Sequence, residues 1–200
     1  MSKYATADQV VELAEAGQRV FGENRVQDAI PKMATVSMAV SQPLRWHMIG
    51  HLQRNKVRQA VGPFSLIQSV DSVRLAEAIA ERAREEDAEV EVLLEVNIAG
   101  DPAKFGFTPD EVRAEYPAIR GLDGIAVVGL MTIGALDAPP DAARASFAGL
   151  RRVRAELDSL GVATPLRHLS MGMSADYQVA VEEGATIVRV GTALLGHHHK

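Results

Sequence analysis

Short apolar runs alternate along this chain with longer stretches whose apolar positions recur every three or four residues. The short runs are QRVF (18–21), LRWHMI (44–49), FSLIQSV (64–70), VEVLLEVNI (within 90–99), IAVVGLMTI (125–133), PLRHLS (165–170) and TIVRV (186–190). They are rich in β-branched residues and read as strands. The longer stretches ADQVVELAEAG, DSVRLAEAIAERAREEDA, TPDEVRAEY, DAARASFAGLRRVRAELDSLG and SADYQVAVEEG read as helices. Their ends carry the expected punctuation. Thr6 with Gln9, and Thr108 with Glu111, form capping boxes, and Pro109 stands at a first helical position. Gly17, Gly161 and Gly184 mark helix stops.

The strand candidates are apolar runs without clean alternation, as buried parallel strands are. Strands alternating with helices predict a parallel sheet, and seven such units in a row predict a closed barrel over an open doubly wound sheet. No GxGxxG follows the first strand, which weakens a dinucleotide-binding fold further. A (β/α)8 barrel has eight strands. The missing one falls before the first helix, with Ser2-Lys3 as its last residues. No linker interrupts the pattern, so residues 1–196 read as one barrel domain and 197–200 as a tail.

Bulk properties narrow the function. The 200 residues carry a net charge of −5 without long runs of one sign, which argues against a general nucleic-acid binder. There is no cysteine, hence no thiolate metal site or cysteine nucleophile. No apolar run approaches the ~20 residues of a membrane span. The start has no signal-peptide pattern, and the expected location is the cytoplasm.

In a (β/α)8 barrel the chemistry gathers at the C-terminal ends of the strands. Those ends are Lys3, GENRVQ (22–27), GHLQRNK (50–56), NIAGDPAKFGF (97–107), TIGAL (132–136), SMGMS (170–174) and GTALLG (191–196). Phosphate sites in such barrels use the loops after the last two strands and a short helix N-terminus. SMGMS offers two hydroxyls and a glycine, and Gly191-Thr192 opens a short helix whose free amides attract an anion. The blander alternative makes Gly191 a turn and Ser174 the cap of the following helix. Lys3 is open to three readings: a phosphate counter-charge, an imine-forming amine, or a solvated terminal lysine. A phosphorylated aldehyde would use both features, and Arg189 could face the ring nitrogen of pyridoxal 5'-phosphate (PLP).

Taken in order, SK before the first helix, EAGQRVFGENRVQD, WHMIGHLQRNKVR, SVDSVRLAEAI, LLEVNIAGDPAKFGF, GLMTIG and LSMGMSADYQVAVEEGATIVRVGTALLG resemble the pyridoxal-phosphate homeostasis proteins, the YggS-like or PROSC family. The resemblance runs from residue 2 to about residue 196. It implies an α/β fold, a TIM-like barrel of the alanine racemase N-terminal domain type (PLP fold type III). It implies PLP as cofactor, held as a Schiff base on Lys3. Asn24 would lie near the cofactor, Ser170, Met171, Gly172, Gly191 and Thr192 at its phosphate, and Arg189 by the pyridine nitrogen. The family carries or buffers the vitamer without defined turnover. PLP and PLP-dependent apoenzymes would be the partners of a monomeric protein. The family has a helix and the whole of strand one before its SK, where this chain has Met1, so a seven-stranded C-shaped sheet is expected.

Two other functions are weighed: a PLP-dependent amino-acid racemase-like enzyme, and a barrel enzyme acting on a sugar phosphate. Barrel racemases add a second β domain that carries the opposing base, and this chain ends about ten residues past its last strand, which sets racemisation behind the carrier role. His47 and His51 straddle a strand end and share no helical face, so no metal site is expected. Arg54, Lys56 and Arg58 read as a solvated helix face, Trp46 and Phe105 as packing residues, Tyr177 as surface, and HHHK as a tail.

Overall fold

The computed structural model describes residues 1–134, 139–160 and 165–196. Gly161, the last two residues of TIGAL and the tail 197–200 lie outside the described residues. In chain order come α1 (Ala7–Glu15), β1 (Val20–Glu23), α2 (Val26–Ala39), β2 (Arg45–Met48), a 3-10 turn (Arg54–Lys56) running into α3 (Val57–Ala60), and β3 (Leu66–Val70). Next are α4 (Val73–Glu85), β4 (Val90–Glu95), α5 (Pro109–Arg120), β5 (Ile125–Met131) and α6 (Pro140–Asp158). The chain closes with β6 (His168–Met173), α7 (Tyr177–Glu182), β7 (Ile187–Arg189) and α8 (Thr192–Leu195). Each predicted strand is present. The seven pair in parallel and in sequence order, from β1 to β7, in a nearly closed barrel wrapped by helices.

The sheet's two edges are bridged at the C-terminal end. The terminal amine of Met1 donates to the Val190 carbonyl at 2.5 Å, and the Ser2 amide donates to the Gly22 carbonyl at 2.9 Å. These two residues stand where barrel strand one would end.

Local signals account for most helices. Thr6 and Gln9 exchange capping-box bonds at the head of α1, as Thr108 and Glu111 do at α5. Helix α2 is absent from the sequence-based set. Its N-cap, Arg25, gives no side-chain cap, and Pro31 lies inside it. What holds it is burial of Val26, Ala29 and Val36 against the sheet, a tertiary effect that overrides weak local propensity.

The main core lies between strands and helices. There Phe21 meets Trp46 with ring centroids 5.4 Å apart, and Trp46 is a packing residue as expected. A second, small apolar cluster lies on the lumen side of the sheet: Leu66, Leu93, Val128 and Met131. None of the described helices is long and apolar enough to cross a membrane.

Candidate functional site at the C-terminal mouth of the barrel

Side chains alternate across a strand, so lumen positions recur every second residue. Moving up two residues from the apolar layer, Leu66 gives way to Gln68, Leu93 to Glu95, and Ile187 to Arg189; beside them, on β6, His168 is followed by Ser170. Gln68, Glu95, Ser170 and Arg189 are all buried. Barrel lumens are ordinarily filled with branched apolar residues, so a polar upper layer asks for a reason. The Arg189 guanidinium donates from Nη1 to Ser170 Oγ and from Nη2 to the Thr132 carbonyl, both at 2.8 Å. The Ser170 hydroxyl donates to Gln68 Oε1 at 2.6 Å. Ser170, expected at a phosphate, therefore has its hydroxyl engaged on both sides within the lumen.

Two groups here titrate away from their ordinary values. Burial pushes the Arg189 pKa down to about 10, against the opposing pull of Glu95 and Asp176, so the guanidinium stays charged at neutral pH. Burial, helped by Asp71, pushes Glu95 up to about 7, against the pull of Arg189.

Lys3 sits at the corner where β1 and β7 are bridged. Glu23 is buried at the end of β1; Ser2 Oγ donates to its Oε1 at 2.7 Å, and Lys32 Nζ from α2 reaches the same oxygen at 3.0 Å. Lys32 also donates to the Ser2 carbonyl at 2.7 Å. Ser2 thus faces outward toward α2. Met1 takes the other face, where its Cγ would lie 3.8 Å from a Cβ on Gly22. Lys3 is exposed, with Nζ 4.6 Å from the Tyr4 ring centroid. Asn24 follows β1, and its backbone packs so tightly on Gly50 that a Cβ there would come 2.3 Å from the Asn24 carbonyl oxygen. Asn24 Oδ1 is buried without a hydrogen-bond partner.

The remaining candidates lie on β6 and just after β7. Met171 points into the main core. Gly172 has φ of 88°, and a Cβ there would fall 2.4 Å from the Ala180 methyl, so only glycine fits. Contrary to the blander alternative, Ser174 does not cap the helix that follows it. Asp176 takes the N-cap position of α7 and accepts from the Met173 amide at 2.6 Å. Ser174 Oγ instead accepts from the amides of Gly191 at 3.1 Å and Ala193 at 3.3 Å. The hydroxyl oxygen occupies the place an anion's oxygen would take at those two donors. Thr192 between them is exposed.

Comparison with known proteins gives the family and the fold. The family described as "Alanine racemase, N-terminal domain" matches residues 2–199. The pyridoxal phosphate homeostasis protein of Aquifex aeolicus is 41% identical over 196 residues, covering 98% of this chain and 84% of that protein. This chain belongs to the alanine racemase N-terminal domain family, in its branch of pyridoxal phosphate homeostasis proteins. PipY of Synechococcus elongatus superposes with a TM-score of 0.92 at 44% identity without PLP, and 0.90 at 42% with PLP bound, each covering 98% of this chain and 90% of PipY. An alanine racemase of Clostridium difficile shares the fold alone, with a TM-score of 0.76 at 19% identity, over 96% of this chain and 49% of the racemase.

In this family member the far side of the mouth is roofed by residues 97–107. That loop is pinned beside β4 by Phe107, whose amide donates to the Glu95 carbonyl and whose carbonyl accepts from Asn97, both at 2.8 Å. It carries Lys104 to the Gly134 carbonyl at 3.0 Å. Phe105 is an exposed residue, not the packing residue expected, and stacks on the His51 ring at 3.9 Å. His51 Nδ1 in turn lies 2.9 Å from Asp71. His47 points into the lumen and His51 to the rim, each with its own partner. The sequence reading passed over Gln68, Glu95, Glu23 and Lys32. A polar residue in the apolar runs SLIQSV and VLLEVN was the available signal for the first two.

Proposed function

We propose that this chain binds PLP and serves intracellular PLP homeostasis as a cytoplasmic monomer that supplies PLP-dependent apoenzymes. What carries the reading is the convergence at one corner of the mouth. Met1 bonds to Val190 and touches the Gly191 position, so Lys3, two residues on, shares that corner with the Gly191 and Ala193 amides and the buried Arg189. The PLP-bound form of PipY supports it.

The residues fit the group. PLP offers a dianionic phosphate, a ring nitrogen, a hydroxyl and an aldehyde. The Gly191 and Ala193 amides, with Thr192 and Ser174, suit the phosphate. Ser170, Met171 and Gly172 belong to β6, whose C-terminal end leads to Ser174. Asn24 Oδ1 is a buried acceptor that a ligand hydroxyl would satisfy. When bound, the cofactor supplies an electrophilic carbon and an electron-withdrawing ring. Lys3 supplies the amine that holds it covalently. Arg189 donates an N–H toward the ring nitrogen and, being cationic, keeps that nitrogen unprotonated, which weakens the ring as an electron sink.

The test is direct. Protein mixed with PLP should gain a visible absorbance band. Borohydride should then fix the cofactor to the peptide containing Lys3. Label on Lys56 or Lys104 would overturn the assignment of Lys3.

A further inference from the structure

The polar layer of the lumen is a chain with a direction. Arg189 can only donate, so the Ser170 oxygen accepts from it at 2.8 Å. Ser170 has one proton, and at 2.6 Å it goes to Gln68 Oε1. That leaves the Gln68 amide N–H to donate to His47 Nδ1 at 2.9 Å. Burial, with Arg45 and His168 nearby, lowers the His47 pKa to about 4 and keeps the ring neutral, and the tautomer protonated at Nε2 accepts at Nδ1. Every donor from Arg189 to His47 points the same way.

These four side chains come from four different strands. His47 is on β2, Gln68 on β3, Ser170 on β6 and Arg189 on β7, so the chain spans the barrel from one wall to the other. Gln68 and Ser170 are wholly buried. A glutamine there costs desolvation that an aliphatic residue would not, and nothing in the packing of the lower apolar layer requires it.

We propose that Gln68, anchored by His47, is a positioning residue that holds the Arg189 guanidinium through Ser170 in the orientation that meets a ring nitrogen. The proposal rests on the reading of Arg189 given above. Gln68 itself touches no ligand. Its effect passes through one hydroxyl, whose proton it accepts, so that the lone pairs of Ser170 remain turned to Arg189. Without that acceptor the hydroxyl is free to turn, and one of the two fixed contacts of the guanidinium loosens, leaving the Thr132 carbonyl alone.

The experiment compares wild type, Gln68→Met, Ser170→Ala, the double variant and Arg189→Met, each titrated with PLP. The readouts are affinity and the position of the visible band, with thermal midpoints measured beside them. Methionine keeps the length of glutamine and removes both hydrogen bonds. Gln68→Met should weaken PLP binding about fivefold, the effect of roughly one hydrogen bond, and move the band in the direction that Arg189→Met moves it. Ser170→Ala removes a single oxygen and should do the same, which keeps the test available if Gln68→Met does not fold. The double variant should be no worse than the stronger single one, because both cut the same chain. A wild-type band and affinity in Gln68→Met or Ser170→Ala, alongside a changed Arg189→Met, would overturn the positioning role and leave the function standing. Additive losses with an unmoved band would also overturn it, since they would mean packing alone. An unchanged spectrum in Arg189→Met would instead overturn the reading on which the proposal rests.

Discussion

β4 and β5 share six ladder pairs, from Val90 opposite Ile125 to Glu95 opposite Met131. On the other side of the barrel, β6 and β7 share two, and among the described residues Met1 and Ser2 bridge the β7 and β1 edges. The residues assigned to the cofactor sit on the thin side: Lys3, Asn24, Arg189, Gly191 and Thr192. The thick side carries the apolar lumen cluster and the roof loop. Stability and binding are thus separated in space. Binding elements drawn from the less cooperative part of a structure can adjust to a ligand, while the well-paired part keeps the shape.

The contrast should break most sharply at Lys32. Lys32→Met leaves the Glu23 carboxylate, buried at the bridge, with Ser2 as its one remaining side-chain partner. Removing one member of a buried ion pair typically costs about 3–5 kcal/mol. Because Lys32 also holds the Ser2 carbonyl, PLP affinity should fall with stability. Leu93→Ala on the thick side should cost a similar ~2–5 kcal/mol while leaving PLP affinity unchanged. Urea melts and PLP titrations on both variants check this; equal effects on affinity would erase the distinction.

Glu95 joins the two sides, since it ends β4 and faces Arg189 across the lumen. Its folded pKa lies above its ordinary value, so the folded state binds the extra proton. The associated stability is present below about pH 4.5 and is lost as pH rises to about 7, by roughly 3 kcal/mol. His47 acts oppositely. Its folded pKa is depressed to about 4, so its contribution is present above about pH 6.5 and is lost as pH falls toward 4. The two slopes oppose one another between about pH 4.5 and 6.5. Glu95→Gln should remove the first and leave stability rising with pH across that window. A melt series from pH 4 to 8 reads the difference, and an unchanged profile would remove Glu95 from the account.

The smallest expected effect is at the rim. Thr192→Val removes an exposed hydroxyl beside the amide pair, and PLP should bind a few-fold more weakly, about 1 kcal/mol. Stability should be unaffected, because Thr192 is exposed. Unchanged affinity by titration would take Thr192 out of the phosphate site.

Much of this was legible in the residues. Capping boxes at Thr6 and Thr108, with β-branched runs between periodic stretches, located seven strands and five helices, because those signals act over a few neighbouring positions. The α2 segment was not legible: an uncapped start and Pro31 argue against a helix, and burial against the sheet overrules them. Strand ends pointed to Lys3, Gly191 and Thr192, since a parallel barrel collects those ends at one face, whereas Asn24 came from the family resemblance. The sequence by itself therefore determined the repeating unit, the parallel barrel and the face on which chemistry gathers. Tertiary structure alone decided the partners. Ser174 lies on the Gly191 and Ala193 amides and not on its own helix, Ser170 lies between Gln68 and Arg189, and Lys32 clamps Ser2. The physical reason is range. Helix caps and strand alternation are set by residues at most a few positions apart, whereas Gln68 meets Ser170 across 102 positions only after closure of the sheet fixes which side chains face one lumen.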